Sequence, residues 1–232
     1  MNTKVLSKKI EEKARSLGAS LVGIASVRSV LKTPSHQDLS DAHRRFKNGS
    51  FIVMALKHPA SNPSLDWWNG KGGTPGNSEL QRISILLGNW LKDKLKIASQ
   101  DLPYHVKKGG IFLKEAAVVA GLGVIGQNNL LITPQYGSSV RLRAMFLESD
   151  NLSAKMTAQF SPCDVCSAPC REACPQNAFK SGKYQRMLCN IQMKQDEASQ
   201  QKIDMGNSVE SVIQYCRACE WACPVSQGVL KL

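Results

Sequence analysis

The chain has 232 residues and a formal net charge of +12, and it is long enough to bury a substantial hydrophobic core in one or two domains. It contains no apolar run of about eighteen residues, and its charged amino terminus has no apolar segment, which argues against a transmembrane helix and a secretory signal. We therefore expect a cytoplasmic protein, in which disulfides are rare and clustered cysteines indicate metal ligands or redox groups.

Cysteines and charge divide the sequence near residue 155. All eight cysteines lie at or beyond Cys163, and all four histidines precede it. Residues 1–150 carry 21 basic against 11 acidic side chains, whereas residues 151–232 carry 9 against 7. We predict two domains, residues 1–155 and residues 156–232.

The amino-terminal part predicts a helix followed by two strands. Apolar residues at helical spacing precede Gly18, which we expect to follow the end of the helix. The segments SLVGIA (20–25) and FIVMAL (51–56) are typical of buried strands. The helical face consists of Leu6, Ile10, Ala14 and Leu17.

A long loop then precedes a second helix and a further strand. Residues 59–77 are rich in Pro and Gly and contain Trp67 and Trp68, which either plug the core or face a ligand. The capping box SELQ at 78–81 predicts the start of a long helix. The alternating segment VRLRAMFL (140–147) predicts a half-buried strand. Mixed helices and strands predict an α/β arrangement for this domain, and an α+β class for the whole chain.

The segment GLGVIG (121–126) matches the dinucleotide-binding pattern G-x-G-x-x-G. That pattern should follow a strand and begin a helix, but here FLKEAAVVA precedes it and is typical of a helix. QNNLLITP follows it and is a poor helix. We therefore interpret the glycines as positions where the backbone closely approaches a flat or bulky group.

The carboxyl-terminal part carries two cysteine runs that each end in Cys-Pro. The first is C-x2-C-x3-C-x3-C-P from Cys163 to Pro175, and the second is C-x2-C-x3-C-P from Cys216 to Pro224. Two-cluster ferredoxins use similar runs, in which the last cysteine of each run ligates the other cluster. Cys189 is the one cysteine left to complete the second set. The crossed rule gives one set of Cys163, Cys166, Cys170 and Cys223, and another of Cys174, Cys189, Cys216 and Cys219.

Structural zinc is the alternative for these cysteines, because C-x2-C pairs are common in zinc ribbons. Zinc ribbons do not need a third cysteine a few residues on or a proline after each run. No histidine lies in this part of the sequence to complete a mixed site. The pattern therefore favours two [4Fe-4S] clusters.

The segment AGLGVIGQNNLLITPQYGSSVRL (120–142), followed by the two cysteine sets, resembles epoxyqueuosine reductases and reductive dehalogenases. The resemblance implies a nitroreductase-like, cobalamin-binding α/β domain followed by a small ferredoxin-like domain with two [4Fe-4S] clusters. It also implies that electrons pass from a low-potential donor, a ferredoxin or flavodoxin, through the clusters to cobalamin. The residues implied to line the corrin are Gly121, Leu122, Gly123, Gly126, Asn128 and Leu131.

The chain departs from the pattern of these proteins in two ways. Epoxyqueuosine reductases carry an Asp proton donor fourteen residues before the first glycine of this motif, and this position is Lys107 here. The chain also ends nine residues after Cys223, so we expect a short form without the helical repeat extension. Candidate catalytic residues near a corrin are Lys107, Tyr104 and Tyr136, with His105 as a further polar candidate, and each is weighed against a structural role.

Three functions remain open on sequence alone. The first is a cobalamin-linked iron–sulfur reductase. The second is an electron carrier or an activator that reduces the corrinoid of another protein, for which no proton donor is needed. The third is nucleic-acid binding through the basic amino-terminal part. For the third, the alternation of Lys92, Lys94 and Lys96 with Asp93 and Leu95 favours a solvated surface.

Overall fold

The computed structural model describes residues 3–70, 73–150, 152, 160–204 and 209–229. The chain forms two compact units, each built from separate stretches of sequence. The first comprises residues 1–57, 79–124 and 141–160, and the second comprises residues 58–78, 125–140 and 161–232. This division differs from the single boundary predicted near residue 155, because two earlier segments also belong to the second unit.

The elements alternate along the chain, as the mixed pattern predicts. The strands are β1 (Leu21–Ser26), β2 (Ser50–Lys57), β3 (Ser99–Asp101), β4 (Val124–Ile125), β5 (Leu131–Ile132), β6 (Val140–Leu147), β7 (Gln201–Asp204) and β8 (Val209–Val212). The α-helices are α1 (Thr3–Ser16), α2 (Val27–Leu31), α3 (Pro34–Gln37), α4 (Ser40–Arg45), α5 (Pro75–Trp90), α6 (Leu113–Val119), α7 (Pro169–Glu172), α8 (Arg186–Ala198) and α9 (Ala218–Trp221). Across the described residues, none of these helices has the length and apolar character that a membrane span needs.

A four-stranded sheet with the order β1-β2-β6-β3 forms the centre of the first unit. β1 and β2 pair antiparallel from Leu21 opposite Ala55 to Ser26 opposite Ser50. The three strands predicted at 20–25, 51–56 and 140–147 are confirmed. β6, however, is buried along nearly its whole length rather than on one face. Its charged residue Arg143 tolerates burial because its Nε donates to Asp101 Oδ1 at 2.7 Å.

The helices α1 and α5 supply most of the apolar core beside this sheet. Their buried side chains pack with residues of β1, β2 and β6, as the helical spacing of the apolar residues predicts. α5 begins at Pro75, three residues before the predicted capping box. Thr74 takes the capping role instead, because its Oγ1 accepts from the Asn77 N–H at 3.3 Å and proline suits the first helical position.

The second unit contains two short hairpins, β4–β5 and β7–β8, and the three helices α7 to α9. The Pro- and Gly-rich loop at 59–77 also belongs here. Trp68 and Ile213 exchange backbone hydrogen bonds of 3.0 and 2.7 Å, and the Trp68 ring stacks on Tyr215. Trp68 is therefore a structural residue of the second unit, rather than a plug over the core of the predicted amino-terminal domain.

Candidate metal centre

All eight cysteines lie in the second unit, and none forms a disulfide. Three of them lie on helices: Cys170 on α7, Cys189 on α8 and Cys219 on α9. The other five, Cys163, Cys166, Cys174, Cys216 and Cys223, lie in the turns beside these helices. The helices therefore bring cysteines that are far apart in sequence into one small unit.

Four of the cysteines line one small, partly open cavity. Burial and three neighbouring thiols together raise the pKa of the Cys170 thiol to about 11, and burial contributes most. Burial likewise raises the pKa of the Cys163 thiol. We call these four residues the first cysteine group: Cys163, Cys166, Cys170 and Cys223.

The remaining four cysteines form a separate neighbourhood, the second cysteine group. Burial raises the pKa of the Cys219 thiol to about 12, with further upward contributions from the other three thiols of this neighbourhood and a smaller one from Cys170 of the first cysteine group. Burial also raises the pKa of the Cys216 thiol, and Asp196 adds to this shift. The second cysteine group consists of Cys174, Cys189, Cys216 and Cys219.

Each group offers four sulfur donors, which matches the ligand set of a [4Fe-4S] cluster. Within the described ranges, no three His, Cys, Asp or Glu side chains lie close enough together to share a single metal ion. Backbone N–H groups already face two of the sulfurs. Ala168 N lies 3.4 Å from Cys166 Sγ, and Ala178 N lies 3.3 Å from Cys174 Sγ. Such donors stabilise the thiolate form that binds iron.

Residues 125–140 brace both groups, which explains why this segment belongs to the second unit. The Gln127 side chain donates to the Cys163 carbonyl at 3.3 Å, and the Asn128 side chain donates to the Cys219 carbonyl at 3.3 Å. Ser138 N donates to Ser226 Oγ at 2.8 Å, shortly after Cys223. This segment thus supports the cysteine loops from outside the two cysteine runs.

A buried ionic network surrounds Arg217, next to Cys216 in the sequence, and no sequence motif predicts it. Arg217, which lies between two cysteines of the chain, contacts Asp66 Oδ2 at 2.5 Å and donates through Nε to Glu220 Oε2 at 3.1 Å. It also donates to the His58 carbonyl at 2.7 Å, and His58 Nδ1 lies 2.8 Å from Asp66 Oδ1. In the sequence, the sign that could have pointed to Arg217 is its position directly after Cys216. Its partners Asp66 and His58 are too distant in sequence to be inferred.

The glycine-rich segment has local structural roles. α6 precedes it, as predicted, so a nucleotide fingerprint after a strand is not present. Gly121 has a positive φ of 75° at the end of α6, where glycine is favoured. A Cβ on Gly126 would lie 2.6 Å from Ile132 Cγ1. The other predicted corrin-lining residues, Leu122, Gly123, Asn128 and Leu131, are all buried.

These roles account for Gly121, Gly126 and Asn128 without a corrin. Two of the glycines serve the local backbone, and the amide of Asn128 already donates to the Cys219 carbonyl. The structure therefore gives no positive sign that these residues fit a corrin, and the support for one comes from the resemblance alone.

Two of the candidate catalytic residues lie in one exposed loop of the first unit. Tyr104 is 57% exposed, and Lys107 is exposed in a 3-10 turn at Val106–Lys108. The ring of His105 contacts the Tyr104 ring edge-on at 5.3 Å. Tyr136 is half-buried in a turn of the second unit. The structure thus brings Tyr104, His105 and Lys107 into one loop.

Two side chains that sequence reasoning missed support this loop. Arg45 Nη1 donates to the Gly109 carbonyl at 2.7 Å. The Phe112 N–H donates to His36 Nε2 at 3.1 Å, and His36 Nδ1 lies 3.2 Å from Glu115 Oε2. Burial lowers the pKa of His36 despite the nearby carboxylate. His36 and Arg45 therefore fix the two ends of the segment that follows Lys107.

Comparison with known proteins supports the resemblance seen in the sequence. No protein-family model matches the chain. An epoxyqueuosine reductase from Lactococcus garvieae is 26% identical over 172 residues, which cover 67% of this chain and 48% of that protein. The chain thus spans about half the length of this curated relative.

Solved structures of similar fold cover nearly the whole chain. The epoxyqueuosine reductase of Bacillus subtilis, with its catalytic loop swung out of the active site, matches with a TM-score of 0.69 at 19% identity. An epoxyqueuosine reductase in complex with an epoxyqueuosine-modified tRNA stem loop matches with a TM-score of 0.70 at 20% identity. Each match covers 97% of this chain and 66% of the other.

A catabolic reductive dehalogenase also matches, with a TM-score of 0.66 at 17% identity, over 97% of this chain and 32% of its own. The chain therefore resembles epoxyqueuosine reductases in sequence and shares the fold of these enzymes and of the reductive dehalogenases.

Proposed function

We propose that the protein is an iron–sulfur oxidoreductase that carries electrons through two [4Fe-4S] clusters to a reducible acceptor. The observation that carries this proposal is the division of eight cysteines into two spatial groups of four. Each group mixes cysteines from both runs, as in two-cluster ferredoxins. The similarity to epoxyqueuosine reductases and reductive dehalogenases supports a reductive function.

The protein supplies ligands and local charge to these clusters. Buried thiols with raised pKa values hold their protons until a metal replaces them, so cluster assembly releases protons. Backbone donors at Ala168 and Ala178 would offset part of the charge of a cluster that carries roughly −2 overall. The guanidinium of Arg217, next to Cys216 in the sequence, is already paired with the carboxylates of Asp66 and Glu220.

Cobalamin is the proposed acceptor, and this part of the proposal rests on the resemblance. One solved neighbour, a reductive dehalogenase that matches with a TM-score of 0.54 at 18% identity, is described as performing B12-dependent dehalogenation. A bound cobalamin would supply low-valent cobalt as the reductant. The residues that would line it are Gly121, Leu122, Gly123, Gly126, Asn128 and Leu131.

The second candidate function is electron transfer without substrate chemistry of its own, either as a carrier or as an activator of a corrinoid protein. The exposed Lys107 favours it, because this position lacks a carboxylic acid as proton donor. In this function Tyr104 and Tyr136 have structural rather than catalytic roles.

Nucleic-acid binding is a third prospect, since one solved neighbour holds a tRNA stem loop and this chain has a net charge of +12. Fluorescence anisotropy with a labelled RNA stem loop tests it directly. Binding that weakens steeply with salt and is independent of cluster content would support it.

Anaerobic reconstitution tests the main proposal. We expect about eight irons and about eight sulfides per chain, with a visible spectrum that bleaches on reduction. Stoichiometric zinc without sulfide would contradict it. Titration with cobalamin then separates the two candidate functions: a change of the corrin spectrum towards the base-off form supports the reductase, and an unchanged spectrum at micromolar protein supports the electron carrier.

A further inference from the structure

Helix α8 carries a ligand of the second cysteine group, yet none of its residues is fully buried. Cys189 is half-buried on the inner side of the helix, together with Gln192 and Met193. The outer side exposes two large apolar side chains, Met187 at 82% and Ile191 at 45%. Met187 and Ile191 lie one helical turn apart, so the two exposed apolar side chains share one face of α8.

The stretch of sequence around these two side chains is basic. Residues 180–195 contain four basic residues and no acidic residue. The nearest acids that follow are already engaged: Asp196 accepts from the Cys216 N–H at 2.8 Å, and Glu197 accepts from the Tyr215 hydroxyl at 3.0 Å. We define the α8 face as Met187 and Ile191 with the exposed Lys180, Lys183, Arg186 and Lys194.

We infer that the α8 face is the docking surface for a small acidic electron-carrier protein, and that electrons enter through the second cysteine group. This inference rests on the proposed function. The apolar pair would make the central contact, and the basic residues around it would attract the acidic partner. In the transfer, one electron leaves the reduced centre of the carrier and reduces the cluster, and no proton moves.

The composition of the α8 face favours a protein over other occupants. Methionine adapts its shape and is common on surfaces that bind proteins. A single-stranded nucleic acid would call for aromatic side chains on which bases stack, and the α8 face has none. A second copy of the chain would set four positive charges against the same four, which disfavours self-association.

The experiment measures cluster reduction by a reduced, acidic flavodoxin in anaerobic stopped flow. A variant with Lys183→Glu and Lys194→Glu reverses two charges of the α8 face, and Met187→Ser removes its largest exposed apolar side chain. The matched control is Lys92→Glu with Lys94→Glu, two exposed lysines of the first unit. Dithionite, a small reductant that needs no docking surface, is used in parallel on every variant.

We expect the double reversal at 183 and 194 to lower the second-order rate constant for flavodoxin about tenfold or more at low ionic strength. The loss should shrink in roughly 0.5 M salt, because screening removes the attraction in the parent protein as well. Met187→Ser should also slow reduction, with a smaller salt dependence. The control variant should match the parent protein at every step. The dithionite rates should change far less than the flavodoxin rates, because this small anion responds to local charge but needs no docking surface.

Equal flavodoxin rates in the α8-face variants and the control would overturn the inference while leaving the clusters in place. RNA stem-loop binding that is lost with the 183/194 reversal, while the flavodoxin rates of that variant equal those of the parent protein, would instead make this face a nucleic-acid surface. Iron and sulfide analysis of the same preparations tests the proposed function separately. If those preparations contain no iron and sulfide, the proposed function is wrong, and the docking inference that rests on it is wrong as well.

Discussion

Cys189 lies 27 residues before Cys216, the next cysteine of its group, and it is the residue on which the ligand scheme depends most. We predict that Cys189→Ser loses or converts one cluster and leaves the other, because serine is a poor substitute for a thiolate ligand. Iron content should fall from about eight towards about four per chain, and electron paramagnetic resonance of the reduced protein should show one altered signal.

Asn190→Ser is the matched control for this variant, since it places the same side chain at the next, exposed position of α8. It should keep both clusters. If Cys189→Ser retains two intact clusters as well, Cys189 is not a ligand and the second cysteine group is incomplete as assigned.

His36 predicts a pH dependence of stability. Because its Nε2 accepts from the Phe112 N–H, the proton of the neutral ring lies on Nδ1, facing Glu115, and His43 is the other titratable group beside it. Burial lowers the pKa of His36 below its ordinary value of 6.5, so the unfolded chain takes up the proton more readily. The free energy of unfolding should therefore fall as pH drops from about 7 to about 5.5, through the pKa that the unfolded histidine has.

His36→Gln should remove this part of the pH dependence, as measured by urea unfolding across the same range, which lies above the ordinary pKa of Glu115. His105→Gln, which removes an exposed imidazole from the same unit, serves as the control and should leave the slope unchanged. A slope that persists in His36→Gln would assign the pH dependence to another group.

At the level of elements, α5 offers two adjacent leucines in opposite environments. Leu87 is completely buried in the core of the first unit, whereas Leu86 is 39% exposed. We predict that Leu87→Ala lowers the free energy of unfolding by about 2–5 kcal/mol, because it leaves a cavity among α1, α5 and the sheet. Leu86→Ala should cost about 1 kcal/mol or less. Circular dichroism during urea unfolding measures both, and equal losses would contradict the assigned helix face.

The same helix shows what sequence could and could not predict. The spacing of Leu80, Ile83 and Leu87 identifies the buried face because local periodicity reflects burial. The predicted start of α5 was wrong by about one turn, because Thr74 and Ser78 are equally plausible capping residues and Thr74 is the one used. The burial of both faces of β6 was missed because Arg143 suggests a solvent-facing side when its partner Asp101 is unknown.

The candidate site was likewise predictable only in part. Counting cysteines and applying the crossed rule predicts two sets of four ligands from the sequence alone, because ligand number is fixed by the cluster, and this ligand assignment stays a prediction. The sequence could not show that Gln127, Asn128 and Asp66 contact the cysteine segments, because these contacts join parts of the chain that are far apart in sequence. The role of residues 58–78 and 125–140 in the second unit has the same long-range origin.

At the scale of the whole molecule, the two units differ in what holds them together. The first has a continuous apolar core around the central sheet. In the second, α8 has no fully buried residue, and the only buried residues of α7 and α9 are Cys170 and Glu220. Helices of four residues are also too short to be stable by themselves. Ligand bonds to metal would therefore supply much of the stability of the second unit.

We predict that removing the clusters unfolds α7, α8 and α9 locally while the first unit stays folded. Hydrogen exchange of the anaerobic holoprotein and of the chelator-treated protein measures this by segment. Exchange should become faster across residues 161–204 and 209–229, because these helices lose their ligand bonds, and should stay slow in β1, β2 and β6, which the apolar core protects. Cys189→Ser provides an internal comparison, since it should increase exchange chiefly in α8 and α9, which carry Cys189 and Cys219 of the second cysteine group. Unchanged protection of all three helices after complete removal of iron would show that side-chain packing, rather than ligation, holds the second unit together.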